Sequence, residues 1–228
     1  MTKLWFAYDL DKDVENFIKG AHSQNNSKPT KLQQTYIDKH GTVYAEDTIR
    51  TFLQDYIQTS GFDASATVQR VEREWRKIET VFFERVEKMF GIVYPVPEIG
   101  VYISTNSRCA YNIEKGYFFV SSVRSSSSML LLSSNMILMH ELLHFYTWQA
   151  FYSRLKQFGV DDSRYNDVKE SLTELLNIEF ADLMPEAHDE GYPQHAEMRQ
   201  VVRKSWLATK DIRRTVLDAL SIPNAVLE

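Results

Sequence analysis

The chain has a single cysteine, Cys109, among its 228 residues. An internal disulfide is therefore excluded, and so is a zinc site built from several cysteines. Such sparing use of cysteine is typical of a reducing compartment. Positive charge is also scarce, because 26 Lys and Arg residues stand against 31 Asp and Glu residues and the formal net charge is −5. A protein that coats nucleic acid needs a basic face toward the phosphates, so we expect no nucleic-acid partner.

Long hydrophobic runs are absent as well. The most apolar stretch, from Met129 to Leu143, is interrupted by polar residues and is too short for a membrane span. The N-terminus, MTKLWFAYDLDKDVENF, lacks the apolar core and cleavage site of a secretory signal. We therefore expect a cytoplasmic protein with no membrane partner. Hydrophobic residues still make up 43% of the chain, which is enough for a packed interior.

Helical periodicity dominates the first 90 residues. Apolar side chains recur at helical spacing over EDTIRTFLQDYIQTS, where Gly61 follows as a stop, and again over residues 62–91. The prolines of VYPVPEIG interrupt this pattern, and two runs typical of strands follow, IGVYIST and GYFFVSSV. The sequence predicts an α+β, mostly helical protein with an N-terminal helical region, 1–91, and a second domain, 92–228.

Three helical segments are predicted after the strands. The first extends from about Ser128 to Phe158, with the serines at 125–128 as its N-cap, and is apolar on nearly every side. The second covers roughly Asn166 to Leu183 and stops before Pro185. A final helical region carries Trp206 and Leu217.

Two histidines stand four residues apart in LMHELLHFYTW, residues 138–148. On a helix His140 and His144 lie on one face, about one turn apart, so both imidazoles can bind the same ion. Glu141 is adjacent and can reach a water at that ion without being a ligand. This is the HExxH arrangement of two zinc ligands and a general base. Hydrogen-bonded core histidines are the alternative, but burial of these polar groups on an apolar helix is costly and favours a metal.

A catalytic zinc usually has a third protein ligand and an open position for water. The compact protease pattern would place glycine and histidine where this chain has Thr147 and Ala150, so it is absent. The next predicted helix, VKESLTELLNIEFADLMP, presents Glu170 and Glu174 four residues apart on one face. Alone, that face would be interpreted as a solvated acidic surface.

With these motifs the chain resembles the gluzincin, or thermolysin-like, class of zinc peptidases over about residues 98–185. The resemblance implies a zincin-like core, in which a small β-sheet accompanies an active-site helix and a ligand helix. It implies one zinc ion held by His140, His144 and Glu170. It also implies that Glu174, where the class more often has Asp, orients a ligand imidazole, although the two glutamates could exchange roles. A weaker similarity connects LLNIEFADLMP to the ImmA/IrrE-like peptidases, through Asn177, Phe180, Ala181, Met184 and Pro185.

The resemblance implies further site residues. Gluzincins stabilise the reaction's oxyanion with a His or Tyr from the C-terminal part, which here would be His195 or Tyr192 in EGYPQHAEMR. Their strand nearest the site binds an extended substrate by main-chain pairing, which would assign Tyr117, Phe119 and Ser121 to the substrate. The alternative interpretations are polar residues at a helix start and ordinary core packing, respectively.

The sequence thus predicts a zinc metallopeptidase that hydrolyses a peptide or protein substrate, with Glu141 as the general base. A non-catalytic helical binding module with a structural or vestigial zinc site is the alternative. A closed site with four protein ligands would favour the module, and an open fourth position would favour the enzyme.

Overall fold

The computed structural model describes residues 2–22, 29–122, 134–185 and 187–221. These residues are mostly helical, at 66%, and among them one small mixed sheet has four strands. The predicted α+β class is therefore confirmed. Within the described ranges, no helix is both long enough and apolar enough to cross a lipid bilayer.

The chain forms two compact units that interleave along the sequence. We call Thr2–Arg76 together with Val96–Leu130 the sheet unit, and Lys77–Pro95 together with Leu131–Glu228 the helical unit. The predicted division into 1–91 and 92–228 follows chain order, whereas these units are defined by contacts. That division stays a prediction.

The sheet unit contains all four described strands, in the order β1-β2-β4-β3 across the sheet. Strands β1, β2 and β4 are parallel, and β3 is antiparallel to β4. The strand bounds are β1 Lys3–Tyr8, β2 Glu98–Ser104, β3 Tyr111–Asn112 and β4 Tyr117–Ser121. Strands β2 and β4 lie where the sequence predicted them. Strand β1 was not predicted, because KLWFAY is a short apolar run that becomes a strand by pairing with β2.

Four helices complete the sheet unit: α1 Leu10–His22, α2 Lys31–His40, α3 Glu46–Ser60 and α4 Ala64–Arg76. Helix α3 has the predicted bounds and ends at Gly61, which takes the left-handed conformation that favours glycine. Aromatic and aliphatic side chains of α1, α2 and α3 form one buried cluster: Val14, Phe17, Leu32, Tyr36, Ile49, Phe52 and Leu53.

The helical unit contains α5 Glu79–Phe90, α6 Ser134–Thr147, α7 Ser153–Gln157, α8 Asp162–Leu172, α9 Leu176–Glu179, α10 Ala196–Thr209 and α11 Ile212–Leu220. The periodicity over 62–91 continues across a break at residues 77–78 that no proline or glycine marks, so one predicted helix is in fact α4 and α5. The predicted helix from 128 to 158 consists of α6, a π-helical turn at Trp148–Tyr152, and α7. Its predicted serine N-cap lies outside the described residues.

Candidate metal centre

Helix α6 carries the HExxH motif and is buried on nearly every side. Its four-residue spacing places the rings of His140 and His144 face to edge, with centroids 4.6 Å apart. Aliphatic neighbours such as Leu142 and Leu143 are completely buried. The predicted convergence of the two imidazoles is therefore confirmed, and it occurs where unpaired polar groups are costly.

Helix α8 brings Glu170 to the same place. Its carboxylate oxygens lie 3.4 Å from His144 Nε2 and 3.7 Å from His140 Nε2. One potential ligand atom from each of the three residues lies within 4.8 Å of the others. Two imidazole nitrogens and one carboxylate oxygen are a donor set that zinc accepts. The three-residue cluster predicted from the sequence is present.

Glu174 does not have the predicted role. Helix α8 ends at Leu172, and the 3₁₀ turn Thr173–Leu175 changes the spacing, so Glu174 no longer shares a face with Glu170. Its Oε2 lies 2.7 Å from Arg199 Nη2, and its Oε1 accepts a hydrogen bond from Arg203 Nε at 2.7 Å. The prediction that Glu174 orients a ligand imidazole is wrong.

Asp189 occupies that position instead. Its Oδ2 lies 2.6 Å from His140 Nδ1, so the imidazole can donate Nδ1–H to it and leave Nε2 for a metal. The other oxygen, Oδ1, accepts hydrogen bonds from Thr173 Oγ1 and Arg199 Nη1, each at 2.9 Å. The side-chain amide of Asn177 bonds both the N–H and the C=O of Asp189, at 2.9 and 2.8 Å. The carboxylate is thus held in one orientation.

The loop that carries Asp189 approaches Arg199 closely because of Gly191. This glycine has φ +63°, and a Cβ there would lie 2.6 Å from Arg199 Nη1. A larger residue would push the guanidinium away from the carboxylate. Sequence reasoning missed Asp189 because no spacing rule connects it to His140, 49 positions earlier. The available signals were the glycine of EGYP and Asn177, which the similarity to the ImmA/IrrE-like peptidases had singled out.

The electrostatics distinguish the two histidines. Burial lowers the pKa of His140, but the hydrogen bonds to Asp189 and Glu170 outweigh it and raise that pKa to about 10. Burial and the ammonium of Lys169 lower the pKa of His144 to about 3. Burial alone would raise the pKa of Glu170, but the imidazoles and Lys169 hold it well below its usual range. Carboxylates that stabilise a proton on His140 also suit a divalent cation at its Nε2.

Glu141 projects from α6 without a partner for one of its oxygens. The side chain is buried, and its Oε2 has no hydrogen-bond partner among the described residues. Burial is the main cause that raises the pKa of Glu141 to about 7. A carboxylate with this pKa and a free lone pair can accept a proton near neutral pH. An unpartnered buried acceptor beside three metal-ligand side chains fits a centre that holds a metal and a water.

His195 and Tyr192 lie near a different carboxylate. The Nε2 of His195 is 3.1 Å from Asp167 Oδ1, and the ring of Tyr192 packs edge-on against His195 at 5.8 Å. The Tyr192 side chain is half exposed, at 53%. These contacts involve none of the three candidate ligands. The oxyanion role of His195 or Tyr192 stays a prediction.

The strand predicted to bind substrate is not an edge over most of its length. Strand β4 pairs with β2 on one side, and on the other Tyr117 lies opposite Asn112 and Phe119 N–H donates to Ala110 O at 2.8 Å. Main-chain addition of a substrate strand needs unpaired groups, so that interpretation is wrong for Tyr117 and Phe119. Both side chains are also buried in the sheet unit. The role of Ser121 stays a prediction.

Lys169 is the second residue that sequence reasoning missed. It precedes Glu170 on α8, and its Nζ lies 2.9 Å from Glu170 Oε1. Only 3% of its side chain is exposed. A lysine beside a glutamate in VKESL gives no sign of burial, because the same pair is common on solvated helix faces.

Comparison with known proteins identifies no relative: no family model, no curated protein and no solved structure matches this chain. The resemblance to the gluzincins and to the ImmA/IrrE-like peptidases therefore depends on the motifs alone and stays a prediction.

Proposed function

We propose that this protein is a zinc-dependent peptidase of gluzincin type that uses one zinc ion. The observation that carries the proposal is the convergence of His140, His144 and Glu170, from two helices, together with the buried carboxylate of Glu141 next in the chain to His140, whose Oε2 has no hydrogen-bond partner among the described residues. In this proposal α6 is the active-site helix and α8 the ligand helix of a zincin-like core.

Zinc held by these three residues would supply a Lewis acid that makes water nucleophilic at neutral pH and polarises a carbonyl oxygen. Glu141 accepts a proton from the attacking water as its oxygen bonds to the carbonyl carbon of the peptide. Glu141 then donates that proton to the leaving amine nitrogen as the C–N bond breaks. Asp189 keeps the Nδ1–H of His140 engaged, which holds Nε2 toward the ligand cluster.

The number of protein ligands favours an enzyme over the structural-zinc alternative. A structural zinc site is normally closed by four protein ligands. Among the described residues the cluster offers three. His195 is not a member of this cluster, and its Nε2 lies 3.1 Å from Asp167 Oδ1. A peptide or protein substrate, a cytoplasmic location and the lack of a nucleic-acid partner remain expectations from the sequence.

The decisive variant is Glu141→Gln, which keeps the shape of the side chain and removes its basicity. We expect the parent to purify with about one zinc per chain and to cleave a peptide library in a chelator-sensitive manner. The variant should retain the metal and lose roughly 100- to 10,000-fold in kcat. Metal content is measured by elemental analysis, and cleavage by mass spectrometry.

Glu179→Gln is the matched control, because Glu179 is a glutamate of the same unit that accepts a hydrogen bond from Trp206 Nε1 at 2.7 Å. It should retain both metal and activity. A parent without metal, or a Glu141→Gln variant that cleaves at the parent rate, contradicts the proposed function.

A further inference from the structure

Arg199 is a buried arginine on α10, a helix that carries none of the candidate ligands. Only 7% of its side chain is exposed, whereas 46% of the Arg203 side chain, on the same helix, is exposed. Burial of a guanidinium costs free energy that is recovered only when its donors are paired with good geometry. The position of Arg199 is therefore explained by the groups that its donors hold.

The donors of Arg199 join two segments of the helical unit. Its Nη1 donates to Asp189 Oδ1 at 2.9 Å and to Thr173 Oγ1 at 2.7 Å. Its Nη2 donates to the main-chain oxygen of Asp189 and lies 2.7 Å from Glu174 Oε2. A lysine ammonium is a single point of charge without this planar fork, so it cannot make the same set of contacts. The guanidinium thus fixes the loop at Asp189 against the turn that follows α8.

Each of these two segments leads to a candidate ligand. Because Arg199 engages Oδ1 of Asp189, the other oxygen, Oδ2, is left for His140 Nδ1 at 2.6 Å. The hydroxyl of Thr173 lies 2.8 Å from the main-chain oxygen of Glu170 and 2.9 Å from Asp189 Oδ1, and it can donate its single hydrogen to either. One guanidinium is therefore two hydrogen bonds away from a ligand residue on α6 and from a ligand residue on α8.

We propose that Arg199 is a positioning residue of the candidate metal centre and acts on both ligand helices at once. Through Asp189 it orients the imidazole of His140. Through Thr173 it fixes the main chain at Glu170. Arg199 is not itself a ligand, and it raises metal affinity because ligands that are already held in place lose less freedom when the metal binds. The inference rests on the metal centre of the proposed function but not on peptide hydrolysis.

The test is a double-mutant cycle on metal affinity. The zinc Kd is measured by competition with a chromophoric chelator in the parent, in Arg199→Lys, in Asp189→Asn and in the double variant. Lysine keeps the positive charge beside the buried carboxylates and removes the fork. Arg199→Lys should weaken zinc binding about 10-fold in the parent. In the Asp189→Asn background it should weaken binding about 3-fold or less, since the connection to His140 is already lost there.

Arg85→Lys is the matched control. Arg85 also holds an aspartate of the helical unit with both ends of its fork, because Nη1 and Nη2 lie 2.6 and 2.8 Å from the two oxygens of Asp182. Both side chains of this pair are exposed. The same substitution at this site should leave the zinc Kd at the parent value.

Gly191→Ala provides a second variant that leaves every donor of Arg199 in place. A Cβ at Gly191 would lie 2.6 Å from Arg199 Nη1 and 2.8 Å from its Cζ, so the guanidinium has to move. We expect Gly191→Ala to weaken zinc binding in the parent and to have little further effect in the Arg199→Lys background.

Urea unfolding of the same proteins separates positioning from stability. If Arg199→Lys lowers the unfolding free energy and leaves the zinc Kd unchanged, Arg199 only stabilises the fold and the inference is overturned. If the effects of Arg199→Lys and Asp189→Asn multiply in the double variant, Arg199 does not act through Asp189 and the inference is overturned as well. If the parent binds no zinc, the inference and the proposed function both fail. If the zinc Kd depends on Arg199 as expected but no chelator-sensitive cleavage is found, the peptidase proposal fails while the positioning role stands.

Discussion

Each compact unit buries a polar cluster around a carboxylate. The two clusters differ in whether protein donors occupy the lone pairs of their oxygen and nitrogen atoms. In the sheet unit, Asp13 is fully buried and accepts hydrogen bonds from hydroxyl groups of Ser104 and Thr105 at 2.6 Å, from Thr105 N–H at 3.1 Å and from Tyr8 at 3.2 Å. In the helical unit, potential ligand atoms of His140, His144 and Glu170 lie within 4.8 Å of one another.

The difference separates a cluster that is complete in itself from a candidate ligand site. Protein donors surround Asp13 and occupy its oxygens, so that cluster is complete without a ligand. Two amide atoms nearby, Asn16 Oδ1 and Asn106 Nδ2, have no hydrogen-bond partner in the part of the chain that the structure describes, but one is an acceptor and the other a donor. They do not form a set of converging acceptors. Burial of a carboxylate is common to both units, so convergence of ligand atoms, not burial, distinguishes the candidate metal centre.

The largest expected effect is on the ion network that supports the candidate metal centre. Arg199→Met removes the partner of two buried carboxylates, Asp189 and Glu174. Loss of one member of a buried ion network costs about 3–5 kcal/mol of unfolding free energy. Arg203→Met is the control, because Arg203 is 46% exposed and should cost less than about 1 kcal/mol. Urea unfolding measures the loss of unfolding free energy in both variants. Equal losses would contradict the conclusion that Arg199 belongs to a buried ion network.

Asp13→Ala tests the structural assignment in the sheet unit. It leaves buried hydroxyl and N–H donors of Ser104 and Thr105 without their acceptor. We expect a loss of about 2–3 kcal/mol in unfolding free energy. Bound metal per folded chain should be unchanged, as measured by elemental analysis. A loss of metal at full stability would reverse the assignment of the two clusters.

Asp189→Asn tests the orientation of His140. Loss of an outer-shell carboxylate typically weakens metal binding about 10- to 100-fold. We expect that range for the zinc Kd, measured by competition with a chromophoric chelator. Glu174→Gln should weaken zinc binding less, because Glu174 acts only indirectly, through Arg199 and Asn177. If Glu174→Gln has the larger effect, the role implied by the gluzincin resemblance is restored.

The smallest expected effect is a pH dependence in the sheet unit. Burial raises the pKa of Asp13 above its unfolded value, so the folded protein binds that proton more tightly. The resulting stabilisation is full below the unfolded pKa and is lost as pH rises through the folded pKa. Asp13→Asn cannot titrate. The difference in unfolding free energy between parent and Asp13→Asn should therefore fall as pH rises above about 4, the ordinary pKa of an aspartate, and a difference that grows with pH would refute this account.

Local spacing was sufficient for part of this structure. The bounds of α3 follow from its apolar period and Gly61, and the facing of His140 and His144 follows from their four-residue separation on a helix. Spacing was insufficient for Glu174, because the change from α to 3₁₀ geometry after Leu172 leaves no mark in the sequence. The spacing of apolar residues likewise did not reveal the break between α4 and α5.

The sequence by itself determined the helix period, the apolar faces and the pair of imidazoles, because each depends on residues within one or two turns of each other. Only the tertiary structure decided that KLWFAY is a strand, that Asp189 and not Glu174 accepts from His140, and that Lys169 is buried beside Glu170. Those features depend on which distant segments pack together. That choice reflects the summed burial and hydrogen bonding of a whole unit, and no short stretch of residues encodes it.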